Sequence, residues 1–266
     1  MWKNKKSNQN RPNKDFRKKK AQMPSKIPSN HHLVMGRNCV EEILRYFPER
    51  ITRVYTAKDE DEEHDLSKNL QKASIEVLSV SKVDLTDLVR SESHQSYVAI
   101  IKDQAMQPCA DFLKETKEKK SLVLMLDSIY DPQNFGTLLR AAECFGVDAV
   151  IYSKNRGCDI TPVVSKASVG ASELVNIIKV SNLAETARKF QKADYQVITA
   201  ELREGASSFN DFTFSEKTLL VVGSEGKGVQ RLLSELADDH LMIPMKGKIQ
   251  SLNVSQATSI ILSRFS

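Results

Sequence analysis

No apolar run in the chain approaches the roughly 18 residues that a helix needs to cross a bilayer. A membrane-spanning helix is therefore not expected. The N-terminus is basic and has no apolar core segment, so it does not read as a secretory signal. Cysteine is scarce: the four residues stand at 39, 109, 144 and 158, and no two form a Cys-x-x-Cys pair. That spacing argues against a metal site and against a disulfide framework, and it fits a reducing cytoplasm. The Gly-x-Gly-x-x-Gly fingerprint and the Walker A loop are both missing, which argues against a dinucleotide-dependent oxidoreductase and a P-loop enzyme.

What is present is a chain of 266 residues, 40% hydrophobic, long enough for one large domain or two modest ones. The net charge of +5 conceals an asymmetry. Residues 1–30 carry ten Lys and Arg against Asp15 alone, whereas the remainder holds 29 basic and 33 acidic residues. Such a tail cannot bury enough apolar surface to fold and is expected to be disordered. Its charge suits attraction to RNA or the ribosome, and a plain solubilising tail has the same composition.

From "HHLVMGRNCVEEILRYF" to "SYVAIIK", strand and helix patterns alternate, which predicts a small α/β domain ending near residue 103. "DQAMQPCADFLKETKEKK" is polar and charged, so a linker or connecting helix is expected there. A second alternating series follows. Its strands "SLVLMLDS", "DAVIYS", "LVNIIKV", "YQVITAEL", "TLLVVGSE" and "HLMIPMK" include continuous apolar runs, as central parallel strands covered on both faces require. Ligands of such sheets bind outside the carboxyl ends of the strands.

Clusters of glycine and polar residues fall at those ends. In "DSIYDPQNFGTLLRAAE" a helix is expected to start near Asn134 or Phe135, and Asn134 by itself reads as an N-cap. Arg140 and Glu143 are three residues apart on that helix, the spacing of a surface ion pair. "VVGSEGKGV" follows a strand and precedes a helix, so its glycines fit either close backbone approach to a ligand or a tight structural turn. In "SLNVSQATSII", Ser251 reads as the N-cap of a last helix running through Ile261, which leaves Asn253 and Ser255 as surplus polar residues.

Taken in order, "DPQNFGTLLRAAECFGVDAVI", "VVGSEGKGV" and "IPMKGKIQSLNVSQATSI" resemble the motifs of the SpoU (TrmH-like) RNA 2′-O-ribose methyltransferases of the SPOUT superfamily. With "GRNCVEEIL" and "SHQSYVAI", the likeness extends over residues 32–264 and is nearest to the RlmB-type 23S rRNA guanosine-2′-O-methyltransferases. The resemblance implies a small α/β substrate-binding domain similar to a ribosomal RNA-binding protein (31–103) and a parallel-sheet SPOUT catalytic domain with a C-terminal trefoil knot (121–266), with the basic tail (1–30) before them and the linker (104–120) between them. It also implies a cytoplasmic homodimer that uses S-adenosylmethionine and acts on RNA, most of all 23S rRNA, with no DNA and no membrane partner. Asn134, Arg140, Glu225, Ser251 and Asn253 carry over as catalytic residues, Gly223, Ile243 and Leu252 as cofactor contacts, and Glu143 as a support for Arg140. A tRNA ribose methyltransferase and a non-catalytic ribosome-assembly protein are the alternatives. The chain departs from the family pattern in two places. Ser96 stands where the family often has glycine, and the chain ends soon after the last motif, which bears on the strength of the dimer.

Overall fold

The structure, a computed structural model, describes residues 23–24, 26–58, 65–249 and 251–265. The disorder expected of the basic tail therefore falls largely outside the described residues.

The first unit is a four-stranded sheet built from β1 (His31–Met35), β2 (Ile51–Thr56), β3 (Glu76–Ser79) and β4 (Tyr97–Lys102), in the order β1-β4-β2-β3. β4 runs antiparallel to both neighbours and β3 parallel to β2. Helices α1 (Arg37–Tyr46), α2 (Asp65–Lys72) and α3 (Lys82–Val89) cover it. Side chains alternate along a strand, so each strand feeds both faces. Val34, Val54 and Ala99 pack with α1 and α2, while Met35, Tyr55 and Val98 pack with α3. Ser81 and Asp84 form a reciprocal capping box that starts α3.

Helix α4 (Cys109–Glu115) leads to the second unit. Its seven-stranded sheet holds β5 (Ser121–Asp127), β6 (Ala149–Ser153), β7 (Ile177–Val180), β8 (Gln196–Ala200), β9 (Ser207–Ser208), β10 (Lys217–Gly223) and β11 (Asp239–Met242), in the order β7-β6-β5-β10-β8-β11-β9. Every neighbouring pair is parallel. Helices α5 (Pro132–Cys144), α6 (Pro162–Ala167), α7 (Leu183–Gln191), α8 (Arg231–Leu236) and α9 (Val254–Leu262) cover its two faces. Leu124, Leu126, Val150, Leu220 and Val222 meet α5 and α9 on one side; Val123, Met125, Ile151, Leu219 and Val221 meet α7 and α8 on the other. Fully buried strands of this kind account for the continuous apolar runs in the sequence. The two-residue β9 has no such signature.

From β5 the chain builds outward through β6 and β7, and then crosses to build β8, β10 and β11 on the opposite side. β5 and β10 are adjacent, so the reversal opens between their carboxyl ends, the place where open α/β sheets bind ligands.

Candidate active site

The loops that follow β5, β10 and β11 bring together side chains far apart in sequence. Asp131 caps α5: its carboxylate accepts the backbone N–H groups of Gln133 at 3.3 Å and Asn134 at 3.1 Å, and Pro132 occupies the first helical turn. The cap expected at Asn134 is thus supplied three residues earlier, and the Asn134 side chain is left for other contacts. Its Nδ2 donates to Glu225 Oε1 at 3.3 Å. Asn253 Nδ2 donates to Asn134 Oδ1 at 2.8 Å and to Glu225 Oε1 at 2.5 Å.

Asn253, not Ser251, is the N-cap of α9. Its Oδ1 accepts Ser255 N–H at 2.9 Å and Ser255 Oγ–H at 2.5 Å. One amide therefore caps a helix with its oxygen and ties two other loops together with its nitrogen. Both nominated residues were able to cap; the choice follows from contacts more than a hundred positions away, which local sequence does not carry. Glu225 Oε2 takes no hydrogen bond among the described residues and remains a free acceptor.

The other nominated residues are placed differently. Arg140 is on the exposed side of α5, six residues or roughly 9 Å of helix rise beyond Asn134. Among the described residues it has no hydrogen bond or ion pair, and the expected Arg140–Glu143 pair does not form. Ser251 is exposed and outside the Asn134–Glu225–Asn253 cluster. Gly223 is buried at the end of β10, where an added Cβ would stand 2.1 Å from the Gly228 carbonyl carbon, so only glycine lets the following loop fold back. Ile243 is half-buried against the core beside α9, and Leu252 is 36% exposed. Residues 244–249, 251 and 252 make no backbone hydrogen bonds to one another or to other described residues.

Residues 121–263 match the model of the SpoU rRNA methylase family, and residues 33–107 match that of the RNA 2′-O ribose methyltransferase substrate-binding domain. The chain belongs to the SpoU rRNA methylase family. Its relatives include a Staphylococcus aureus protein named as a TrmH family tRNA/rRNA methyltransferase, 35% identical over 86% of this chain and 93% of that one. A 23S rRNA (guanosine-2′-O-)-methyltransferase of Haemophilus ducreyi is also 35% identical, over 86% of this chain and 94% of its own. The fold matches that of an S-adenosylmethionine-bound rRNA methyltransferase from Sinorhizobium meliloti, with a TM-score of 0.70 at 22% identity over 89% of this chain and 87% of that one.

This SpoU family member is accordingly an RNA 2′-O-methyltransferase that uses S-adenosylmethionine. The residues present fit that cofactor. The backbone groups of 245–249, 251 and 252, which have no hydrogen-bond partner among the described residues, would supply the amide and carbonyl contacts that an adenine and an amino-acid moiety need. Tyr130, Leu202, Met245, Ile249 and Leu252 expose apolar surface on loops after β5, β8 and β11, where a purine would find cover. Sequence reading passed over Asp131 and Ser255 as functional residues. The signal for Asp131 was available, since Asp followed by Pro marks a helix start. Ser255 had none beyond its place in the first turn.

Proposed function

We propose that the protein transfers a methyl group from S-adenosylmethionine to the ribose 2′-hydroxyl of a guanosine in 23S rRNA. The observation that carries the reading is the meeting of Asn134, Glu225 and Asn253, one from each motif, at the carboxyl ends of β5, β10 and β11. When bound, the cofactor supplies the electrophilic methyl group. The protein's part is to hold the ribose and handle its proton.

Asn134 and Asn253 fix the Glu225 carboxylate through Oε1, which turns the free Oε2 toward a ribose hydroxyl as an acceptor. Holding the hydroxyl in line with the methyl removes much of the entropic barrier. A guanidinium is a poor free base, so Arg140 acts on the developing alkoxide or through a neighbouring phosphate. Ser251 lies on the same loop as Leu252 and lines the approach to the reacting hydroxyl. Gly223, Ile243 and Leu252 contact the cofactor, largely through backbone groups.

The exposed apolar Ile260 supports a homodimer in which a second copy covers α9. The knot, the domain limits 31–103 and 121–266, and a cytoplasmic location belong to the same proposal. The 23S rRNA guanosine is favoured by the relatives named for it and by the matched substrate-binding domain; the tRNA reading rests on the relative named for both RNAs.

The test is a map of ribose methylation in total RNA from cells with and without the gene. Loss of one 2′-O-methylguanosine from 23S rRNA is expected. Loss of a tRNA mark with rRNA unchanged establishes the runner-up, and loss of none overturns both.

A further inference from the structure

Asp127 ends β5 with no solvent exposure. A buried carboxylate must be compensated by hydrogen bonds, and the direction of these bonds is informative. One carboxylate oxygen accepts the backbone N–H of Gln230 at 2.7 Å. The other accepts Ser128 Oγ–H at 3.0 Å and the side-chain amide of Gln230. In the parallel ladder, the register partner of Asp127 is Gly223. A single residue therefore touches both ends of the loop that carries Glu225: Gly223 where the chain enters, and Gln230 where it leaves.

The loop between is folded tightly on itself. Gly228 N–H donates to Ser224 O at 2.9 Å, and the two residues form an isolated antiparallel bridge. Glu225, Gly226 and Lys227 stand exposed at the tip. The buried carboxylate is not simply capping α8. Gln230 is itself the N-cap residue, so its N–H lies outside the first-turn donors that a cap satisfies. The bonds are directed at the loop's exit, and the Gln230 amide also bonds Ser128 at the start of the loop that leads to Asn134.

We propose that Asp127 and Gln230 are positioning residues for methyl transfer: together they clamp the Gly223–Gln230 loop and so set where Glu225 meets Asn134 and Asn253. This rests on the methyltransferase reading above. Asp127→Asn preserves shape but presents an amide N–H₂ to donors, so the clamp loses an acceptor at the loop exit. Gln230→Ala removes the amide bridge and spares the backbone bond.

The experiment uses the full chain. Hydrogen exchange of amides 224–230 is followed without RNA, and kcat, KM for RNA and thermal melting are measured beside it. In Asp127→Asn, exchange in the loop accelerates and kcat per folded molecule falls roughly 10- to 100-fold, as for a small displacement of a reacting group. KM for RNA stays within about twofold, because uniform substrate binding is untouched. Gln230→Ala moves the same quantities in the same direction by less, and decides the matter alone if Asp127→Asn does not fold. Unchanged loop exchange overturns the clamp. Faster exchange with unaltered kcat per folded molecule overturns its role in transfer. A wild-type protein that methylates no RNA overturns the functional reading instead, and is told apart because loop exchange is read without substrate.

Discussion

Arg140 faces solvent and has no partner among the described residues. A guanidinium that is held by no structural contact is free to meet RNA. Arg140→Ala is expected to lower methyl incorporation by roughly 100-fold or more, the scale of losing one donor to a developing oxyanion. S-adenosylmethionine affinity by calorimetry should be unchanged; near-normal turnover would sink the assignment. A different kind of single-residue effect occurs at Ser96. There the departure from glycine has not abolished the turn: Ser96 holds φ +64°, next to Gln95 at φ +52°. The turn is held by Ser96 N–H donating to Nδ1 of buried His94 at 3.0 Å, and by Ala57 N–H donating to Ser96 O at 3.1 Å. A side chain in the left-handed region costs about 1 kcal/mol, so Ser96→Gly should stabilise the small unit by about that amount. A urea midpoint at or below the wild-type value refutes the strain.

At the scale of elements, the position of α5 decides where Asn134 stands, and Gly136 sets how closely α5 approaches α6. A Cβ at 136 would lie 2.4 Å from Ala167 Cβ and 2.9 Å from backbone atoms of Val164 and Ser168. Gly136→Ala gains up to about 1 kcal/mol in helix propensity. Against this stands an overlap with backbone that cannot swing aside, and overpacking typically costs about 1–3 kcal/mol. The expected net result is a lower melting temperature. Turnover should fall as well, because the N-terminal turn of α5 is pushed away from Glu225 and Asn253. A variant as stable and active as wild type would show that the helices part freely.

The same helix shows what was legible in the sequence. Its apolar face of Leu138, Leu139 and Ala142 follows from local spacing, and so do the buried strands. Its true start at Pro132 was written in Asp131 and Pro132. That Asn134 would bond Glu225 and Asn253 was accessible only through resemblance, because the periodicity of one element says nothing about which loops converge. Asp127 was the least legible: an acid at the end of an apolar strand reads as a solvated terminus until its partners are seen.

On the scale of the whole molecule, the two sheets are joined by a buried ionic contact. Arg50, from the turn before β2, donates to Glu173 Oε2 at 2.6 Å across the boundary between the units. Both side chains are less than 10% exposed. His32 adds to the cluster: it bonds Glu173 at 3.2 Å and Asp103 at 2.7 Å, while opening onto a cleft between the units. Burial opposes charging of His32, but Glu173 and Asp103 outweigh it and leave the imidazole more basic than its usual 6.5. Burial likewise opposes charging of Glu173, but His32 and Arg50 hold its carboxyl below the usual 4.5. The signs of the linkage follow. The His32 contribution is complete below its usual value and is lost as pH rises through the raised one. The Glu173 contribution is complete above its usual value and is lost as pH falls through the lowered one. Docking of the substrate-binding unit is therefore tightest between the usual values of 4.5 and 6.5, and it loosens as pH rises through the raised histidine value or falls through the lowered carboxyl value.

Glu173→Gln strands the buried Arg50 charge, at a cost of about 3–5 kcal/mol. Small-angle scattering should then show a larger radius of gyration, with tryptic cleavage between the units accelerated. His32→Gln keeps the ionic pair and removes the titrating member, so the variant should lose the expansion expected of wild type as pH rises above the usual histidine value of 6.5. If that variant expands with pH as wild type does, the imidazole is not what couples docking to pH.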